Sequence, residues 1–310
     1  MSSGWQLTLR RSAFCAGIGL HSGKPVQLVI LPAPVDSGIV FVREDLPNKP
    51  VIPALSEKVL DTSLATTLGH EGAHIGTVEH LMAALRSLGI DNARIEVNGP
   101  ELPILDGSAA PFVSILQEAG LREQEVPKTY MVIKKTITVR SGDKFASLAP
   151  ASEFWVDCTV DFQHPLIMNQ TFGMRITPES FMEELARART FCFLQDVEQL
   201  KQVGLAQGGS LENAIVVDKF SILNPEGLRF PDEFVRHKFL DVLGDLALLG
   251  KPLLAHMTAY KTGHTLNQQL VQAVLSDANA FELLSLKPEE ANCGVSAWIH
   301  EVFSPSPRTA

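Results

Sequence analysis

The order of local patterns constrains this chain more than any other feature: strands come in groups and helices follow them, twice over. Alternating segments such as VQLVIL (26 to 31) and ARIEVN (93 to 98) put every second side chain on one face, as a half-buried strand requires. TVEHLMAALRSLG (77 to 89) instead has a helical period, with Thr77 placed to cap it and Gly89 to end it. A charged stretch, LREQEVPKTY (121 to 130), then interrupts the apolar pattern and contains Pro127, after which MVIKKTITVR begins a new strand pair or one long strand. DKFASLAP and FWVDCTVDF follow as strands; PESFMEELARA, residues 234 to 249 and LNQQLVQAVLSDANAFELL follow as helices. Strands grouped apart from helices favour an α+β sandwich over a doubly wound parallel sheet. A chain of 310 residues exceeds one ordinary core. The expected domains are therefore 1–126 and 127–303, with a flexible tail, SPSPRTA, at 304–310.

Hydrophobic residues make up 45% of the chain and charged residues 20%, a globular balance, and the formal charge of -9 argues against a nucleic acid as principal partner. A small anionic ligand held by a few lysines remains compatible with that charge. Cys15, Cys158, Cys192 and Cys293 are scattered without a Cys-x-x-Cys pair, which points to reduced thiols rather than a zinc knuckle or a disulfide framework. MSSGWQLTLRRS lacks the apolar core of a signal peptide, and no run of about 18 apolar residues marks a membrane span. A cytoplasmic protein without stable membrane insertion is expected.

The stretch FVRHKFLDVLGD (234 to 245) carries the chemistry. At about 100° per residue, His237, Asp241 and Asp245 fall in one file, while Val235, Phe239, Leu240, Val242, Leu243 and Leu246 take the other side. Gly244 costs a helix roughly 1 kcal/mol against alanine, so the position calls for room for a ligand or a second backbone. His237 and Asp241, at i and i+4, suit either one metal ion or a surface ion pair. A third ligand is available in His80, which sits opposite the apolar stripe of its helix among Ala83, Ala84 and Ser87; the alternative is a histidine bonded to a carbonyl at a helix crossing. Should the three meet, two imidazoles and a carboxylate make the ligand set of a catalytic zinc site with its fourth position left to water. Glu79 beside His80 then suits a general base, although an acidic residue at a helix start needs no such role. Lys238 is placed to stabilise a developing oxyanion, and Asp245 to charge His264 as a general acid. Base, acid and Lewis acid together indicate an amide or ester hydrolase.

Five segments also resemble one family in its order: GIGLHSGKPV (17 to 26), TVEHLMAAL (77 to 85), DGSAAPF (106 to 112), GLRFPDEFVRHKFLDVLGDL (227 to 246) and AYKTGHTLNQQLVQAV (259 to 274). The chain is similar to the UDP-3-O-acyl-N-acetylglucosamine deacetylases of lipid A biosynthesis, the LpxC family. That resemblance implies two similar two-layer α+β sandwich domains, their helices packed between two outer sheets, with an inserted β-α-β unit in the second domain. It implies one zinc ion on His80, His237 and Asp241, Glu79 as base, His264 as acid beside Asp245, and Thr190 with Lys238 at the oxyanion. Thr190 comes from the resemblance alone. The insert, about 192–217, is expected to form a passage for the substrate's acyl chain, with Phe191, Phe193, Val197, Leu200, Gly209 and Val216 as candidate lining and His21 as a further substrate contact. Ordinary core packing accounts for the apolar members equally well. Phe162 is a candidate to stack on uracil, and Lys144 and Lys261 to meet the diphosphate. Residues 61–76, DTSLATTLGHEGAHIG, are shorter than the family pattern and carry small residues where larger apolar ones are expected. The implied protein is a monomer acting on an acylated UDP-sugar. A hydrolase of a different acylated sugar and a non-catalytic binder are the two competing classes.

Overall fold

The computed structural model describes residues 4–285; the tail at 304–310, the end of the second domain at 303 and Cys293 lie outside them. Six α-helices are described: α1 (Glu79–Ser87), α2 (Ala110–Ala119), α3 (Pro178–Glu184), α4 (Leu194–Gln202), α5 (Glu233–Leu246) and α6 (His264–Leu275). None of the described helices is long and apolar enough to cross a membrane.

The first half builds a five-stranded sheet in the order Ala13–Ile18, Pro25–Pro32, Ala93–Val97, Ile39–Arg43, Val51–Pro53. Val26, Leu28 and Ile30 alternate with outward residues and bury one face, as do Ala93, Ile95 and Val97. This is the two-residue period of a strand with one wet side. In the second half Leu253–Tyr260 is central to a seven-stranded sheet: it runs antiparallel to Lys144–Ala149 on one side and parallel to Phe154–Asp161 on the other. Val156, Cys158 and Val160 point from this sheet into the core. Four of the helices lie between the sheets: α1 packs on α5 and α2, α2 on Ala13–Ile18, α5 on Phe154–Asp161, and α6 on Ile137–Ser141, giving the α+β architecture with these helices inside. Residues Phe191–Phe193, α4 and Ile215–Val217 form the expected β-α-β insert, its two short strands parallel.

Two local expectations are corrected, and the charged stretch after α2 takes on a definite structure. Leu121–Pro127 is a strand antiparallel to Trp5–Leu9, with Gln124 buried while Arg122, Glu123 and Glu125 face solvent. Residue 126 thus lies within a strand. The last helix stops at Leu275, because Asp277 folds the chain back by accepting from Asn279 N–H on its carboxylate and from Ala280 N–H on its carbonyl. Phe281–Ser285 then pairs antiparallel with Thr129–Ile133 as a strand rather than continuing the helix. Finally, Thr77 does not cap α1. It adopts a left-handed φ of 57° and donates its hydroxyl to Glu101 at 3.2 Å.

Candidate metal centre and active site

Gly244 explains how two distant segments meet. A Cβ on Gly244 would lie 2.1 Å from the carbonyl oxygen of Glu79 and 2.8 Å from its Cα, so the room in α5 is filled by the backbone at the start of α1. Ala83 and Ala84, fully buried, keep α1 slender where it packs. This close crossing sets Glu79 and His80 opposite His237 and Asp241.

His80, His237 and Asp241 each offer a donor atom within 4.8 Å of the others, and all three are buried. Asp241 Oδ1 lies 3.3 Å from His237 Nε2 and 3.7 Å from His80 Nε2. Tetrahedral donors at about 2.0–2.2 Å from one zinc ion would stand roughly 3.3–3.6 Å apart, so the spacing fits a metal. A second observation agrees: Asp241 Oδ1 is buried and accepts no hydrogen bond, a cost that a cation removes. His237 donates its Nδ1–H to the Ala188 carbonyl at 3.1 Å, which turns the Nε2 lone pair towards the centre. That carbonyl is held in turn by its neighbour Arg189, fully buried, whose Nε and backbone N–H both donate to Glu233 at 2.9 Å.

The electrostatics suit cation binding. Burial and the neighbouring His237 push His80 down to about 3, so it is a neutral imidazole at pH 7. Burial alone would raise the Asp241 carboxyl, but His237, Lys238, His264 and His80 outweigh it and hold the group well below the usual carboxylate range. Lys238 lies alongside, its Nζ donating to Asp241 Oδ2 at 2.9 Å and resting 5.6 Å from the centre of the Phe191 ring.

Glu79 is buried beside these candidate ligands, and burial lifts its carboxyl to about 7, with His264 opposing and Asp241 and Asp245 adding to the rise. Its Oε1 stands 3.9 Å from His264 Nε2. His264 opens α6 and donates Nδ1–H to Asp245 Oδ2 at 2.9 Å. Burial works against a charge there, but the Asp245 carboxylate, its hydrogen bond and Glu79 overcome it and carry His264 up to about 10. The expected pairing of Asp245 with His264 is therefore present. Sequence reasoning passed over two residues that hold Asp245: Thr66, whose hydroxyl donates to Oδ1 at 2.6 Å, and Asn267, whose amide donates to Oδ2 at 2.8 Å. Asn267 stands three residues after His264 on one helix face, a usable signal; Thr66 carries none.

The remaining candidates are spread outward. Thr190 is half-buried, its backbone N–H donating to Gly107 and its carbonyl accepting from Ile215. Phe191 stands 6.4 Å from the His237 ring and 5.6 Å from Phe162, which also meets Phe193 at 5.8 Å. Phe162 thus belongs to an aromatic cluster running from the candidate metal ligands into the insert. Val197, Leu200 and Val216 are half-buried, and α4 has no fully buried residue. His21 and Gly209 sit where a first-half loop meets the insert: the His21 carbonyl accepts from Gln207 N–H at 3.1 Å, and the Leu20 carbonyl from Gly208 N–H at 3.0 Å. Both ring nitrogens of His21 are buried without a hydrogen-bond partner. Lys261 is held by Asp143 at 2.6 Å and Asp161 at 3.4 Å, and Lys144 is exposed nearby, next to Asp143.

The family model described as UDP-3-O-acyl N-acetylglycosamine deacetylase, LpxC, matches residues 6–276. The chain belongs to this family. A UDP-3-O-acyl-N-acetylglucosamine deacetylase of Myxococcus xanthus is 59% identical over 285 residues, spanning 92% of this chain and 91% of the relative. Proteins of the same name from Anaeromyxobacter sp. and Shewanella baltica are 55% and 51% identical, spanning 91% and 92% of this chain and 92% and 94% of their own. Family membership covers every segment that supplies the buried cluster.

Proposed function

We propose that this chain is a zinc-dependent amidase that hydrolyses the 2-acetamido group of UDP-3-O-acyl-N-acetylglucosamine, giving UDP-3-O-acyl-glucosamine and acetate, a committed step of lipid A biosynthesis. The observation that carries the reading is the meeting of His80, His237 and Asp241 beside Glu79 and the Asp245–His264 pair, in a chain of this family. His80, His237 and Asp241 would hold one zinc ion. When bound, zinc supplies a Lewis acid that lowers the pKa of water and polarises a carbonyl.

Glu79 takes a proton from the water that attacks the acetyl carbon. Lys238 and Thr190 stabilise the carbonyl oxygen as it becomes negative. His264, kept charged by Asp245, gives a proton to the amide nitrogen as the C–N bond breaks, releasing acetate and a free amine.

Phe191, Phe193, Val197, Leu200, Gly209 and Val216 line the passage for the acyl chain, supported by the aromatic cluster that leads from His237 into the insert. His21, Phe162, Lys144 and Lys261 contact the rest of the substrate. The first domain ends near residue 126 and contributes Glu79 and His80; the second contributes His237, Asp241 and His264. The protein acts as a cytoplasmic monomer on this small molecule, with neither nucleic acid nor stable membrane insertion.

The test is acetate release from UDP-3-O-acyl-N-acetylglucosamine by purified protein, after metal stripping and again after one equivalent of zinc. Activity is expected to vanish and return. Folded, zinc-loaded protein that releases no acetate overturns the reading, and turnover of other acylated sugars in its place would redirect the substrate.

A further inference from the structure

We propose that Thr66 is a positioning residue that sets the general base and the general acid against each other across the seam between the two halves of the chain. The inference rests on the reaction proposed above. Thr66 is 2% exposed and comes from the first half, like Glu79; Asp245 and His264 come from the second. Its backbone N–H donates to Glu79 Oε2 at 3.0 Å, which leaves Oε1 facing His264 Nε2 at 3.9 Å. Its hydroxyl donates to Asp245 Oδ1 at 2.6 Å and lies 3.3 Å from His264 Nδ1. Its carbonyl accepts from Val78 N–H at 3.3 Å, tying the same residue to the start of α1.

The need for Thr66 follows from the geometry of the Asp245 carboxylate. Asn267 holds Oδ2, but Asn267 lies on α6 with His264 itself, so it restrains the pair only from His264's own element. The Thr66 hydroxyl holds the other oxygen from the opposite half. With both oxygens fixed the carboxylate cannot rotate, and the His264 ring keeps Nδ1 on Asp245 and Nε2 towards Glu79. Because one residue grips Glu79 through its backbone and Asp245 through its side chain, the separation of base and acid is set locally.

The experiment uses the full zinc-loaded chain and its Thr66→Val and Thr66→Ser variants. Valine removes the hydroxyl and keeps the shape and the backbone N–H; serine keeps the hydroxyl and removes a methyl. The expected result is a fall in kcat of about 10–100-fold for Thr66→Val, the range typical of lost outer-shell partners. KM and zinc content stay as in the wild type, Thr66→Ser recovers most of the rate, and Thr66→Val causes little further loss in an Asp245→Asn background. Thr66→Ala replaces the valine variant should that fail to fold. An unchanged kcat in active, folded Thr66→Val overturns this inference alone. So does a loss confined to KM or zinc content, or a serine variant no better than valine. A wild type that releases no acetate overturns the proposed reaction, and this inference with it.

Discussion

His264 is the residue whose neighbours do most to define its chemistry. Burial by itself favours a neutral imidazole, yet Asp245, tied to it at 2.9 Å, and Glu79 raise it to about 10. In its proposed role as proton donor it works while it is charged, so its contribution is expected at neutral pH and lost as pH rises through its folded value. Asp245→Asn removes the charge and leaves an amide, which shifts the His264 pKa back towards its ordinary value of about 6.5. The alkaline limb of the kcat profile is therefore expected to move down in pH by at least one unit of the scale, with turnover at pH 8 reduced by roughly 10-fold or more. A pH–rate series on wild type and variant checks this; an unmoved alkaline limb would assign that titration to another group.

At the scale of elements, the contact of α1 with α5 decides whether a metal site exists. Every buried candidate ligand lies on one of these two helices, and the closest approach is glycine against backbone. Gly244→Ala places a Cβ where the Glu79 carbonyl already stands, and backbone on both sides has no flexible end to yield. The helices must separate, at a cost of about 1–3 kcal/mol or more. The outcome expected is a lower denaturation midpoint together with weaker zinc binding, seen by chemical denaturation and by metal titration. A variant with alanine's better helix propensity that gained stability and kept stoichiometric zinc would refute this account of the crossing. Arg189 and Glu233 serve the same junction from the other end of α5, since their buried pair anchors the segment whose Ala188 carbonyl turns His237.

Across the whole molecule, the candidate ligands join segments from both halves, so a bound cation would link them. Zinc that binds the folded chain and not the unfolded one stabilises by mass action, about 2.7 kcal/mol when free metal is 100 times its Kd. Stripping with a chelator is therefore expected to lower Tm, and zinc to restore it in a concentration-dependent way. Scanning calorimetry of stripped, zinc-restored and His237→Ala protein separates site binding from bulk effects: the variant should lose the zinc response. Equal zinc-induced shifts in the wild type and the variant would place the ion elsewhere.

The sequence by itself determined the elements with a strong local period. Residues 26–31 and 93–98 alternate as strands do, and His237, Asp241 and Asp245 stand in file because α-helical geometry puts them there. It also marked Gly244 as a place needing room, without saying what would occupy it. Tertiary structure alone decided that the occupant is the Glu79 backbone, that the charged stretch 121–127 pairs with the N-terminal strand, and that Phe281–Ser285 leaves the helix to become a strand. The bond from Thr66 to Asp245 joins positions 179 residues apart. Local periodicity records which face of an element is buried, because that repeats every two or 3.6 residues. A single side chain meeting a single carboxylate across the fold repeats nowhere, so only the folded chain reveals it.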